Sequence, residues 1–164
     1  ASSFNHQNGE TFVLPEPLID ERVMVIPGTD GRKMSKSYDN YINIFLPDKK
    51  LRKVIMRIET DSTPMEEPKN PDSCNVFALY KLLANDDQIA EMRKNYEGGN
   101  YGYGHAKQAL YELIVDIFKS ERENYWRLME NTDEIDRLLK EGAEKARKVA
   151  QPVLQKVRNK LGYN

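Results

Sequence analysis

The chain holds 164 residues, of which 39% are hydrophobic and 31% charged, with a formal net charge of -1. That length allows one domain of ordinary size, or the larger part of two, with apolar residues enough for a core. The near-neutral charge excludes a wholly basic nucleic-acid coat, no apolar run approaches a membrane span, the first residues lack a signal-peptide pattern, and Cys74, alone, excludes an internal disulfide and fits a reducing compartment.

Residues 1–16 carry Gly9, Pro15 and many polar side chains. They have no period long enough to anchor themselves, so they are expected to lie across another surface. Residues 17–22, with Pro at a tolerated early position, predict a single helical turn. The apolar quartet Val23, Met24, Val25 and Ile26 reads as a short buried strand whose pairing neighbours are missing. Residues 28–37 (Gly-Thr-Asp-Gly-Arg-Lys-Met-Ser-Lys-Ser) have no hydrophobic period, two glycines, three cations and interleaved hydroxyls. Such a segment predicts a mobile loop able to lay ammonium groups and short donors against a polyphosphate.

Beyond the loop the pattern turns helical. A first helix opens at Pro47-Asp48 with Leu51, Val54, Ile55 and Ile58 on one face and ends near Glu59-Thr60. Residues 60–73, with Pro64, Pro68 and Pro71, predict a surface crossing or linker. Val76, Leu79, Tyr80 and Leu83 mark the next helix, and Asn85-Asp86 stops it and caps another, with Ile89, Met92 and Tyr96 facing inward up to Gly98-Gly99. Tyr101 and Tyr103 stand in a glycine-rich turn, where packing on the bundle is favoured over stacking on bases because buried aromatics contribute so much area. From His105 one long helix is expected through Leu110, Ile114 and Ile117 to Met129. Asn131 and Glu134 form a capping box for the last helix, which has an apolar stripe from Leu138 to Leu161 and a kink expected at Pro152. His6 and His105 stand apart from metal-ligand spacings, and Cys74 reads as a small packed filler. Seven cations between Lys140 and Lys160 face only Glu141 and Glu144, so this end is basic.

Lys33-Met34-Ser35-Lys36-Ser37 resembles the KMSKS signature of class I aminoacyl-tRNA synthetases. The flanks, residues 23–28 and 38–42, and the stretch 101–110 are similar to tryptophanyl-tRNA synthetases, and the likeness runs through nearly the whole chain. The resemblance implies a mainly α protein: a helical bundle that reads the anticodon, residues 47–164, preceded by an irregular, loop-rich remnant of a Rossmann catalytic domain, residues 1–46. It implies that Lys36 chiefly, assisted by Lys33, stabilises the pyrophosphate leaving ATP, with Mg2+ as part of that substrate. Met34 supplies loop backbone near adenine, Ser35 and Ser37 hold phosphate or the loop itself, and Val23 and Met24 lie against the base. The partners implied are tryptophan tRNA, an N-terminal catalytic domain that these residues do not include, and a second subunit of a full-length homodimer in the cytoplasm.

The class's other signature, a His-Ile-Gly-His type motif on an early strand-to-helix turn, does not occur here. The chain therefore reads as the C-terminal portion of a synthetase that cannot activate tryptophan alone. The alternatives are another class I synthetase such as the tyrosyl enzyme, and a non-catalytic helical module that binds RNA or protein. Candidate tRNA contacts are the bend from Tyr101 to Lys107 and the basic stretch from Lys140 to Lys160.

Overall fold

The computed structural model describes residues 1–20 and 25–163. Among the described residues there are seven α-helices and no strand: α1 (Ser2–Asn8), α2 (Asp48–Met56), α3 (Asn75–Lys81), α4 (Asp86–Gly98), α5 (Tyr103–Ile117), α6 (Lys119–Glu130) and α7 (Thr132–Lys160). They fall into two compact units, one made of Ala1–Ile19 with Trp126–Asn164, the other of Asp20–Tyr125.

The core belongs to the second unit. Helix α2 begins after Pro47, with Asp48 placed where the helix dipole favours an anion, and buries Leu51 and Ile55 against α5. Ile58, beyond the end of α2, is still core at 1% exposure. Helix α3 adds Val76, Phe77, Leu79 and Tyr80, α4 adds Met92 and Tyr96, and α5 adds Ala106, Leu110, Leu113 and Ile114. Asn85 opens α4 with the expected cap, its side chain and that of Gln88 exchanging bonds with each other's backbone N–H.

Residues 60–73 are an ordered crossing held from inside by Lys69. This lysine is 4% exposed, and its ammonium donates to the carbonyls of Pro64, Met65 and Glu67 at 2.7, 3.2 and 2.9 Å. The Lys69 amide donates to the Tyr96 carbonyl at 2.7 Å and so ties the crossing to α4.

The helix expected from His105 to Met129 is two helices. Phe118 leaves helical geometry at φ -95°, ψ 21° and packs on the core, and Arg122 follows one turn later. The guanidinium of Arg122, 8% exposed, donates to the Ile44 carbonyl and pairs with Asp48. A long-range tether of this kind leaves no glycine or proline signal in the sequence.

Residues 1–16 also differ from expectation, because they anchor themselves. The carboxamide oxygen of Asn5 accepts from the amides of Thr11 and Phe12, its nitrogen donates to the Phe12 carbonyl, and Phe4 meets Phe12 edge to face at 5.1 Å. Lys160, near the end of α7, donates to the carbonyls of Asn8 and Glu10. Asn131 caps α7 by accepting from the Glu134 amide, without the reciprocal bond of the expected box, and α7 continues through Pro152 to Lys160. Its apolar stripe is present, yet α7 holds no buried residue, with Leu139 and Val149 at 64% and 74% exposure.

The expected helical turn at 17–22 is not formed over residues 17–20, and residues 21 and 22 lie outside the described residues. The expected buried strand is not formed in its described half either. Val23 and Met24 lie outside the described residues, and Val25 and Ile26 are exposed, since no neighbouring strand among the described residues offers them a ladder. One isolated antiparallel bridge, Pro27 to Lys33, takes its place.

Candidate functional site

The glycine- and lysine-rich segment closes on itself as a narrow turn. The Gly28 amide donates to the Arg32 carbonyl at 2.7 Å and the Met34 amide to the Ile26 carbonyl at 2.8 Å, which brings the two limbs together. Gly31, at φ +77°, supplies the left-handed residue that the turn needs, and a Cβ there would stand 2.7 Å from the side-chain nitrogen of Asn75. The base of the turn is fastened to the helical core, because the Glu59 amide donates to the Thr29 carbonyl at 2.7 Å.

The signature residues follow directly. Ser35, extended at φ -154°, caps a single 3-10 turn over Lys36–Tyr38 by accepting from the Ser37 amide, and Asp39 ends that turn in the left-handed region at φ 52°. Met34 is half-buried and packs on the core, so the one apolar side chain of the signature anchors the loop. Lys33, Lys36 and Ser37 are exposed.

The three cations of the segment differ in occupation. Arg32 pairs with Asp30 at 2.6 Å and lies over the Tyr38 ring at 5.1 Å. Neither the Lys33 nor the Lys36 ammonium has a hydrogen-bond or ion-pair partner among the described residues. Two uncommitted ammonium groups three residues apart on a fastened turn leave their full charge available to an anion. The expected loop therefore has a defined backbone with free cationic side chains.

Asn40 holds that backbone, and nothing in periodicity or charge marks it in the sequence. It is 2% exposed, its carboxamide oxygen accepts from the Ser35 amide, and its nitrogen donates to Asp30 and to the Lys33 carbonyl. The nearest signal is its position directly after Asp39, a residue type that tolerates left-handed backbone and can turn the chain back under the loop.

The Asn40 amide, chiefly, with Arg32 beside it, holds the Asp30 carboxyl below its ordinary value of 3.8 against an opposing desolvation effect. A carboxyl depressed in the folded state contributes stability that is fully present above its unfolded value and is lost as pH falls through the folded value. Carbon-13 titration of Asp30 is accordingly expected to give a midpoint below 3.8, and Asn40→Ala is expected to move that midpoint upward. An unmoved midpoint would remove the amide as the cause.

The tyrosines of the 101–104 turn point into the bundle. Tyr101 and Tyr103 meet Tyr96 with ring centroids 5.8 and 6.1 Å apart, and the Tyr103 hydroxyl donates to Asp61 at 2.7 Å. Burial first, and then the Asp61 bond, pushes the Tyr103 hydroxyl up to about 12, and burial also raises Tyr101. Lys107 turns its ammonium to the Met56 carbonyl, and burial lowers its pKa. Cys74 is buried with its sulfur 3.4 Å from the Tyr96 hydroxyl. His105 accepts from the Gly102 amide and caps α5. Among the described residues, no group of three His, Cys, Asp or Glu is placed to hold a metal.

Residues 1–119 match the family model for class I tRNA synthetases (W and Y). The tryptophan–tRNA ligase of Fusobacterium nucleatum is 47% identical over 99% of the chain and 50% of its own length, and that of Campylobacter jejuni 46% identical over 99% and 51%. The crystal structure of the Campylobacter jejuni tryptophanyl-tRNA synthetase, complexed with ADP and tryptophan, superposes with a TM-score of 0.83 at 46% identity, over 99% of this chain and 51% of that one. The chain spans about half the length of the curated relatives it matches. With the matched model covering most of its residues, the chain belongs to the class I tRNA synthetase family that comprises the tryptophan and tyrosine enzymes.

Proposed function

We propose that the chain supplies the pyrophosphate-binding loop and the anticodon-reading helices of a tryptophan–tRNA ligase. The rest of the catalytic domain, with its Rossmann sheet and amino-acid pocket, lies in sequence outside these 164 residues. In amino-acid activation a carboxylate attacks the α-phosphate of ATP and pyrophosphate departs, so negative charge grows on the leaving phosphates. Cations brought there by loop closure stabilise the transition state more than the ground state, which raises rate rather than only affinity. Lys36 is the principal clamp and Lys33 its assistant. Met34 anchors the loop near the adenine site, Ser35 and Ser37 present hydroxyls and amides, and Val23 and Met24 border the base. Mg2+ enters with the ATP. The observation that carries this reading is the pair of exposed, unpartnered ammonium groups on a turn whose base is fastened by Asn40 and Glu59.

Residues 1–46 form the catalytic edge in this reading, and the helices from residue 47 onward bind tryptophan tRNA. The exposed cations of α7 are the preferred contacts, since Tyr101 and Tyr103 are committed to packing. The full-length ligase is a cytoplasmic homodimer. No helix among the described residues is long and apolar enough to cross a membrane. Relatives that are tryptophan ligases disfavour the tyrosyl alternative, and a vestigial loop would give no reason for two cations to be kept free of ion pairs.

The 164-residue chain alone is expected to show no ATP–pyrophosphate exchange with tryptophan, while the full-length ligase shows it. Exchange by the isolated chain would overturn the division of the site between this segment and sequence outside it.

A further inference from the structure

The carboxamide of Asn40 is buried beneath the turn, with both N–H groups and the oxygen engaged. Its oxygen accepts from the Ser35 amide at 2.8 Å, and its nitrogen donates to Asp30 Oδ1 at 2.7 Å and to the Lys33 carbonyl at 3.2 Å. Its own backbone carbonyl accepts from the Thr29 amide at 2.9 Å. A single residue thus holds the chain before the signature and at two peptide groups inside it. Gly28 shapes the slot, because a Cβ at that position would stand 2.4 Å from the carboxamide.

The two peptide groups held are those on either side of Met34. Fixing the Lys33 carbonyl restrains the backbone from which the Lys33 side chain leaves. Fixing the Ser35 amide sets the residue that caps the Lys36–Tyr38 turn, and with it the direction of Lys36. Asparagine suits the place because the slot needs one acceptor and two donors on opposite edges of one short planar group; aspartate would offer only acceptors, and glutamine is a methylene longer.

We propose that Asn40 is a positioning residue of amino-acid activation, aiming the Lys33 and Lys36 ammonium groups at the departing diphosphate. Buried under the loop, it touches no reacting atom. The inference rests on the clamp reading of the two lysines. Misplacing a charged group by about an ångström costs on the order of a hundredfold in rate, so loss of the clasp falls on kcat.

The test compares Asn40→Asp, Asp30→Ala and Lys36→Ala in the full-length ligase, by ATP–pyrophosphate exchange and thermal midpoint. Asn40→Asp keeps the acceptor for Ser35 but turns both donors into repulsion toward Asp30 and the Lys33 carbonyl. Its kcat is expected to fall about tenfold or more with the KM for tryptophan unchanged. Asp30→Ala, at a partly exposed position, removes one of the three anchors and is expected to lower kcat severalfold, beyond what its small loss of thermal midpoint accounts for. The combination of Asn40→Asp with Asp30→Asn, which exchanges donor and acceptor across the 30–40 bond, is expected to recover part of the loss. Unchanged kcat in Asn40→Asp, or a loss that only mirrors a lowered thermal midpoint and is not relieved by the exchange, would overturn the inference. Should Asn40→Asp not fold, Asp30→Ala decides alone: an unchanged kcat there overturns the inference. A Lys36→Ala enzyme with full exchange would sink the clamp reading itself, whereas a Lys36→Ala loss beside an intact Asn40→Asp rate would sink only the positioning role.

Discussion

Lys36→Ala, in a ligase that carries this segment together with the rest of the catalytic domain, is expected to lower the rate of tryptophan activation by about 10²–10³-fold, or roughly 3–4 kcal/mol of transition-state stabilisation. The size follows from the state of the side chain. An ammonium already paired with a carboxylate would have to exchange partners and would give back much of what it gained. Lys36 is exposed and has no partner among the described residues, so its whole charge is available to the leaving diphosphate. The effect should fall on kcat more than on the KM for ATP, because charge on the β- and γ-phosphates grows as the bond breaks. Lys33→Ala should act in the same direction with a smaller loss, while Arg32→Ala should cost less than either, its guanidinium being engaged by Asp30 and stacked on Tyr38. Single-turnover formation of the adenylate measures all three. Equal and small losses at the three positions would show a diffuse positive field in place of an aimed clamp.

Lys69→Met is expected to lower the stability of the unit Asp20–Tyr125 by about 3 kcal/mol, although the substituted side chain fills nearly the same stem volume. Three carbonyls converge on the ammonium, and at 4% exposure no water replaces it freely. The Met65 and Glu67 carbonyls, left without a donor, each carry a desolvation penalty of about 1 kcal/mol or more, while the Pro64 carbonyl keeps the Glu67 amide at 3.3 Å. In a domain of this size that loss corresponds to a fall in thermal midpoint of about 10–15 °C. The same substitution also removes the cation that lies 5.5 Å over the Tyr103 ring. Differential scanning calorimetry reads the shift directly, and a fall of under about 2 °C would mean that the crossing is held by its prolines and by the Tyr96 bond alone.

These two lysines mark the border between what the sequence discloses and what it hides. Helices α2, α3, α4 and α5 could be read from apolar spacing because each buries one face in the same core, and the Asn85 and Asn131 caps from local pairs three residues apart. The KMSKS run was visible because its residues are consecutive, and the packing of Tyr101 and Tyr103 because aromatic area favours burial. What stayed hidden depends on contacts made at a distance. Lys69 belongs to no period or motif, and only the folded path brings three carbonyls around it. The break at Phe118 is set by its packing and by Arg122 reaching residues more than seventy positions earlier, with no helix-breaking residue to announce it. Asn5 organises residues 1–16 by the same means, through side-chain bonds to backbone several residues ahead. The strand expected at 23–26 failed in its described half for the opposite reason: apolar residues predict burial only where a covering surface exists, and among the described residues Val25 and Ile26 stay 56% and 39% exposed. Asn40 lies in the 38–42 flank of the resemblance, but a lone polar residue carries no period that would disclose its role beneath the turn.

The two free ammonium groups are expected to move onto the nucleotide when it arrives. A crystal structure of the full-length ligase with tryptophan and a non-hydrolysable ATP analogue is the direct measurement. We predict the Lys36 ammonium within hydrogen-bond distance of the β- or γ-phosphate, Lys33 beside it, and the Asn40 clasp on Asp30, Lys33 and Ser35 unbroken. Phosphates bound by other groups, with both lysine side chains still in solvent, would contradict it.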